Sequence, residues 1–533
     1  FTIVGNGWDF GATRDNMGLT ISVPVAMNSD GSDITGPSYE YITFNNSETY
    51  SYPLTYPAEN LSKERAMLTV REHLDDRPKV VPLTGWNFAD EQTIRLLPIG
   101  TAFDQAHIYE FTYTAKNPVV SGLGLAATRD FISFLRYAPK SGGRVDNPLA
   151  DTIKQTYSFS ISQPSRALHD FQTLGFNADE EDRRVIDGML KWTGAGTGDQ
   201  INYRFSQTGR TERNRQNHLY PEGVFPFAHQ VLTDHLSGKI AGRATLCAES
   251  NTCAKIFEVN SSNEYWVKAG SLLHSDTRGQ DIEDPDDVRF FLISGTSHGV
   301  GNVASRGLCQ QFLNPISPYP ALRGLFVALD RWVADKVEPP SSRVPRQTEG
   351  TAVMAKSISG SQTGSVPQEF LGWPNIPGVN YTGLITTRHY LDFGQLFDSD
   401  SLISNYPPAI ENRPTYDIFV SRVDEDGNEI AGIRLPPVET PIATTTGWAL
   451  RRDDFGLNDG CEGSGQYIPF AVTEDERLSM GDPRLSLEER YGTHENYVQE
   501  VASVAQELMS QGFLLEADVQ RYIDQAASSD VLL

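Results

Sequence analysis

Apolar and polar positions follow two rhythms along this chain. Ile108 to Tyr113, Tyr157 to Ile161, Val185 to Trp192, Lys255 to Val259 and Val288 to Ile293 are short, β-branched and aromatic runs, the pattern of strands. Between them the period lengthens. Leu123 to Tyr137 places Leu125, Phe131, Ile132, Phe134 and Leu135 at helical spacing, and Arg166 to Leu174 also reads as a helix. Ala321 to Val337 gathers Leu322, Leu325, Ala328, Leu329 and Trp332 on one side. The C-terminus predicts helices over Ser486 to Tyr491, Glu495 to Gly512 and Glu516 to Ala527, with Ser486-Leu-Glu-Glu and Thr493-His-Glu-Asn as their starts. Strands alternating with helices predict an α/β fold on a mostly parallel, doubly wound sheet.

Other stretches break this pattern. Residues 9 to about 105 are rich in Thr, Ser, Tyr, Asn, Gly and Pro, with short alternating pieces such as Leu19-Thr-Ile-Ser-Val-Pro24 and Ile94-Arg-Leu-Leu-Pro98. They predict a β-rich insertion. Residues 195 to 250 have mixed polarity and no clear period and read as a second insertion, here called the cap. The Ser/Gly/Thr-rich region 346–430 is irregular, with a turn at Asp424-Glu-Asp-Gly-Asn428, and 431–533 becomes helical toward its end. The expected organisation is a catalytic domain over 1–345 carrying the two insertions, followed by these two C-terminal regions. Phe1-Thr-Ile-Val4 opens the chain on a β-branched run without a cap or polar lead. It is expected to be a central strand, and a central parallel strand needs neighbours on both sides. Upstream strands are therefore expected, from a proteolytically separated fragment of the same gene product or from residues not included in this chain.

Composition narrows the classes of partner. A formal net charge of −25 repels nucleic-acid phosphates and anionic membranes. No apolar run approaches the roughly 20 residues needed to span a bilayer. The four cysteines lack the spacing of a zinc site, so neither metal nor cofactor is expected. Their even number suits two disulfides, Cys247–Cys253 and Cys309–Cys461, and an extracellular or periplasmic location. Free buried thiols are the alternative.

The candidate chemistry sits at the strand ends. Ser160-Ile-Ser162-Gln-Pro164 lies between a predicted strand and a predicted helix. A sharp strand-to-helix turn that exposes a serine needs small residues two before and two after it, ordinarily glycine. Here Ser160 and Pro164 stand in those places, and Pro164 is tolerable in a first helical turn. Strand Lys255 to Val259 runs into Asn260-Ser-Ser-Asn-Glu264, and strand Val288 to Ile293 runs into Ser294-Gly-Thr-Ser-His298. A carboxylate and a histidine just past parallel strands converge at the carboxyl edge of the sheet. This gives the order Ser162, Glu264, His298 as nucleophile, acid and base. Asp187, Asp276 and Asp281 compete with Glu264 for the acid's place. The oxyanion donors are expected to be the N–H of Gln163 and that of Trp8, or of Gly7, after the first strand. Arg204, Arg210, Arg213, Arg215 and His218, interleaved with Tyr203, Phe205, Tyr220, Phe225 and Phe227, form a basic and aromatic stretch in the cap. Arg166, Arg204 and Tyr265 are the candidate substrate contacts. Salt bridging to the surplus carboxylates is the plainer account of the arginines.

Ser160-Ile-Ser-Gln-Pro-Ser-Arg166, Leu174-Gly-Phe-Asn-Ala-Asp-Glu180, Asn263-Glu-Tyr-Trp266, Gly295-Thr-Ser-His298 and Gly122-Leu-Gly-Leu-Ala-Ala-Thr-Arg-Asp130 together resemble the large bacterial alpha/beta hydrolase domain family. Asp426-Gly-Asn-Glu-Ile-Ala-Gly-Ile-Arg-Leu435 and Gly481-Asp-Pro-Arg-Leu-Ser-Leu-Glu-Glu-Arg-Tyr491 are similar to its C-terminal region. The resemblance spans nearly the whole chain. It implies the α/β-hydrolase fold and the roles given to Ser162, Glu264 and His298; the leading reading of that triad is a serine esterase acting on a small-molecule or polymeric ester. It does not carry the substrate. Amide or peptide cleavage by the same triad, and a non-catalytic binding protein on the same scaffold, are the other readings.

Overall fold

The computed structural model describes residues 2–5, 22–141, 143, 145–207, 219–357, 363–400, 402–406, 408, 415–461 and 463–533. At its centre is a four-stranded parallel sheet. Its strands are β1 (Tyr157–Ile161), β2 (Gly188–Trp192), β3 (Lys255–Ser261) and β4 (Val288–Ile293), in spatial order β4-β3-β2-β1. β1 and β4 have the predicted bounds. β2 starts three residues later than its apolar run, because Val185 and Ile186 are buried in the turn that precedes it.

Alternation along these strands divides the core. Met189, Ile256, Phe290 and Leu292 belong to one apolar cluster with Phe171 of the helix α2 (Gln163–Thr173). Leu190, Trp192, Phe257, Val259, Phe291 and Ile293 belong to another, with Leu322, Leu325, Leu329 and Trp332 of α4 (Tyr319–Asp335). The register pairs Ile256 with Met189 and Phe257 with Leu190, so each cluster takes one face. A parallel sheet buried on both faces is the arrangement that near-continuous apolar strands require.

The β-rich region extends further than its composition suggests. Ile108–Lys116 is the inner strand of an antiparallel sheet, paired with Thr35–Thr43 on one side and Met67–Arg71 on the other. It therefore belongs with the preceding strands, and the excursion ends near 116 rather than 105. Alternation along it buries Tyr109, Phe111, Tyr113 and Ala115 in one cluster with Trp86 and Phe88 of a second small sheet. The next helix, α1 (Leu123–Tyr137), has its predicted bounds. Residues 195–250 hold only short elements, such as Thr245–Glu249. At the C-terminus Ser486 and Glu489 form a reciprocal capping box and Thr493 caps His494–Ser510, as their sequences predict.

One expectation about the first strand fails. Thr2 to Gly5 lie in no strand and Ile3 is 93% exposed. Its apolar run makes a strand only where an edge supplies hydrogen bonds, and no described strand pairs with it. Among the described residues no strand pairs with the outer edge of β1, where Phe159 and Ile161 are exposed. Trp8, Gly7, Arg210, Arg213, Arg215 and His218 lie outside the described residues, as do Leu19 to Ile21.

Both disulfides form as paired from the sequence, Cys247–Cys253 and Cys309–Cys461. They close chain segments of very different length, with sequence separations of 6 and 152. Constraint on the unfolded chain grows with loop length, so removing Cys309–Cys461 should cost about 2–4 kcal/mol and removing Cys247–Cys253 less. Denaturant unfolding of the paired Cys→Ser variants checks the order. A larger loss from the short loop would show that native packing, not chain entropy, sets it.

Candidate active site

The turn from β1 into α2 carries Ser162. Its backbone lies at φ 62°, ψ −121°, a region that side chains rarely adopt. Local packing holds it there. Ser162 N–H donates to Trp192 O at 2.8 Å, and Ser165, fully buried, donates through Oγ to the same carbonyl at 2.9 Å. Ser160 replaces the usual glycine by turning its hydroxyl inward onto Ser165 Oγ, 2.9 Å away. Pro164 takes the second position of α2, where no N–H is required. The sharp turn therefore forms without either glycine. Gln163, the first residue of α2, has an N–H with no acceptor among the described residues, as expected of a helix start.

The other two residues meet Ser162 from the neighbouring strand ends. Ser162 Oγ lies 2.8 Å from His298 Nε2, and His298 Nδ1 lies 2.5 Å from Glu264 Oε1. Glu264 is fully buried in the first turn of α3 (Ser262–Val267), and the His298 side chain is 25% exposed. Ser261 donates through Oγ to the other oxygen of Glu264. Burial pushes the Glu264 carboxyl up, but His298, Lys268 and the Ser261 hydroxyl more than offset this and hold it below the usual range. A carboxylate that accepts from Nδ1 leaves Nε2 free to accept the serine proton. The competing acids are engaged elsewhere. Asp187 pairs with Arg136 at 2.8 Å, Asp276 caps a turn through the N–H of Arg278 and Gln280, and Asp281 accepts from Thr348.

Glu429 has no signal of its own in the sequence, where its segment shows a turn at Asp424 to Asn428 and a similarity to the family's C-terminal region. Its Oε2 accepts from Ser262 Oγ, two residues before Glu264, and from Gly295 N at 2.8 Å, three before His298. One buried carboxylate thus ties the acid's helix to the histidine's loop. Gly432 seats this segment: at φ 92° its backbone runs so close to β4 that a Cβ would lie 2.6 Å from Leu292 O. Burial raises the Glu429 pKa from 4.5 to about 7, against the lowering pull of the Ser262 and Gly295 bonds. The folded protein therefore holds this proton more tightly than the unfolded chain, and stability from Glu429 falls as pH rises from 4.5 to about 7. Glu429→Gln keeps an accepting oxygen and removes the titration. Between pH 5 and 8 its melting temperature should fall less than that of the wild type, with the gap opening toward high pH at up to about 1.4 kcal/mol per pH unit. Parallel melting curves across that window are the check.

The face of the sheet under α2 is charged, which its apolar strands conceal. Glu258 of β3 and Lys191 of β2 are register partners 3.0 Å apart, and Glu258 also meets His169 at 3.0 Å and His229 at 2.9 Å. All four are at most 1% exposed. Burial opposes the Glu258 charge, yet Lys191 and the two histidines keep its carboxyl well below the usual range. This network anchors the helix that begins at Ser162.

The three expected substrate contacts are placed differently from one another. Tyr265 is corrected: it is 1% exposed within the core, and its hydroxyl bonds His274 Nε2 at 2.9 Å. Consecutive residues of a helix are rotated by about 100°, so the side chains of Glu264 and Tyr265 face apart. Arg204 lies on the surface. Arg166 is 2% exposed and pairs with Glu222 at 3.2 Å and Asp199 at 3.7 Å.

A parallel sheet with a serine, a histidine and a carboxylate in line at its carboxyl edge defines the class of α/β hydrolases. The family model described as alpha/beta hydrolase domain matches residues 86–524, and the chain belongs to that family. It is accordingly a hydrolase. Neither the curated proteins nor the solved structures contain a match to it.

Proposed function

We propose that the chain cleaves carboxylic esters through an acyl-enzyme on Ser162. One observation carries this reading: the unbroken line from Ser162 Oγ to His298 Nε2, 2.8 Å, and from His298 Nδ1 to Glu264 Oε1, 2.5 Å. Ser162 Oγ attacks the ester carbonyl carbon while His298 Nε2 takes its proton. Glu264 fixes the imidazole tautomer and stabilises the imidazolium. The N–H of Gln163 donates to the developing oxyanion, and Trp8 is the proposed second donor. His298 then returns the proton to the departing alkoxide. A water, deprotonated by His298, releases the acid and restores Ser162. The substrate is a small-molecule or polymeric ester. Two disulfides accord with an oxidising compartment outside the cytoplasm. No helix among the described residues is long and apolar enough to cross a membrane.

A fluorophosphonate probe tests the reading, because it reacts with an activated serine. Labelling should be stoichiometric and map to the peptide holding Ser162. An unlabelled protein, or a label on another serine, would sink it.

A further inference from the structure

We propose that the Cys309–Cys461 disulfide positions the base of the triad, and that full activity requires this bond to be oxidised. This rests on the esterase reading and adds a control of it.

His298 has little backbone support of its own. Among the described residues, neither its N–H nor its C=O makes a hydrogen bond. Its neighbours hold it instead. Ser297 Oγ donates to Gly299 O at 2.7 Å, spanning the histidine. Gly299 N–H donates to Gly463 O at 3.3 Å. Gly463 also lies against the base, where a Cβ would be 3.9 Å from His298 Cβ. Asn314 joins the same two segments, its N–H donating to Gly465 O at 3.0 Å and its Nδ2 to Gly295 O at 2.5 Å.

The disulfide is the covalent tie between these segments. From Gly299 to Gln311 the chain holds no helix and no strand, and Val300 and Val303 are exposed on it. Cys309 pins the far end of this excursion to Cys461, which leads into the turn carrying Gly463; Ser464 N–H closes that turn on Cys461 O at 3.2 Å. The triad needs 2.8 Å from Ser162 and 2.5 Å from Glu264 at once, and a displacement of about 1 Å can cost on the order of 10²-fold in rate. Cys247–Cys253 has no such place. Cys253 lies two residues before β3 begins, at the amino end of the sheet, whereas the triad lies at the carboxyl end.

Cys309 is 1% exposed and Cys461 5%, packed with Ala449. An attacking thiolate must reach one of these sulfurs, so burial slows exchange and a bond once formed persists. A dithiol opens it by supplying two electrons and two protons: Cys309 and Cys461 become thiols, and the dithiol closes to its own disulfide. A chain kept reduced before export would thus carry a complete triad with its base poorly held.

The test compares Cys309→Ser/Cys461→Ser with Cys247→Ser/Cys253→Ser, each shown to be folded by circular dichroism and assayed well below its melting temperature. The readouts are kcat and KM for 4-nitrophenyl acetate and the rate of fluorophosphonate labelling at Ser162. The first variant should lose about tenfold or more in kcat and in labelling rate, with KM within about twofold of the wild type. The second should keep all three within about twofold. A crosslink that only stabilises the fold would lower the melting temperature and leave both rates alone. Dithiothreitol should reproduce the loss in the wild type, with the freed thiols mapped to Cys309 and Cys461, and oxidised glutathione should reverse it. Unchanged rates in the first variant, or equal losses in both, overturn the proposal. If the first variant does not fold, the reduced wild type decides, and an unchanged labelling rate with both thiols free overturns it. Oxidised wild type that never labels at Ser162 refutes the esterase reading itself, whereas labelling at a rate indifferent to the bond refutes this proposal alone.

Discussion

Ser162→Ala should lower kcat/KM for a 4-nitrophenyl ester by roughly 10⁴- to 10⁶-fold, because nucleophile, base and acid act as a unit and removing one removes most of what all three contribute. What is left is the hydrolysis that bound water and the oxyanion donors support without a nucleophile. The fold should survive. Ser162 Oγ has one partner, His298 Nε2, while the elbow is held by the backbone bond from Ser162 to Trp192 and by the buried Ser160–Ser165 pair. Alanine keeps the backbone bond and meets the same unfavourable φ of 62° that serine does. Melting temperatures of the two proteins should therefore lie within a few degrees. Activity measured on a purified, folded variant within about tenfold of the wild type would assign the chemistry to another nucleophile, and the line of contacts through His298 would then need another use.

Much of this site was legible because its parts lie at the ends of apolar runs. Val288 to Ile293 reads as a strand with its true bounds, so His298 falls in the loop that follows. The same logic placed Glu264, the proposed acid, although β3 runs on to Ser261 and Glu264 stands on a short helix rather than in a loop. Ser160 and Pro164 weaken the letters of the motif but not its physics, since a small hydroxyl that bonds inward does what glycine does by absence. Long-range partners left no local signal. Glu429 is 165 residues from Glu264 along the chain, and nothing in its own stretch of sequence links it to the triad. Glu258 and Lys191 hide inside strands whose other residues are apolar, and only the register between β2 and β3 makes them partners. Tyr265 shows the opposite error: adjacency to the acid suggested contact with substrate, but a helix turns neighbouring side chains to different sides. Of the strand expected at Phe1 to Val4, the described Thr2 to Val4 pair with no described strand, and β-propensity alone does not make one.

Removing the acid should separate two contributions of Glu264. Glu264→Ala should lower kcat/KM by about 10⁴-fold, the scale on which a triad acid matters when the histidine loses both its orientation and its counter-charge. Glu264→Gln is the more informative change. An amide nitrogen facing His298 would make Nδ1 an acceptor and put the proton on Nε2, which then cannot accept from Ser162. Here the amide can turn the other way. Ser261 bonds the second oxygen of Glu264 through a hydroxyl, and a hydroxyl can accept as well as donate. With its nitrogen toward Ser261 and its oxygen toward His298, glutamine preserves the productive tautomer and loses only the negative charge beside the imidazolium. Glu264→Gln should accordingly retain more activity than Glu264→Ala, by about tenfold or more, and adding Ser261→Ala should abolish that advantage by removing the group that receives the turned amide. Steady-state kinetics on the two single variants and the double variant form the measurement. If Glu264→Gln falls as far as Glu264→Ala with Ser261 present, the amide does not turn and tautomer control is the whole of the acid's role. If Glu264→Gln loses nothing, the carboxylate 2.5 Å from His298 is not the acid of this triad.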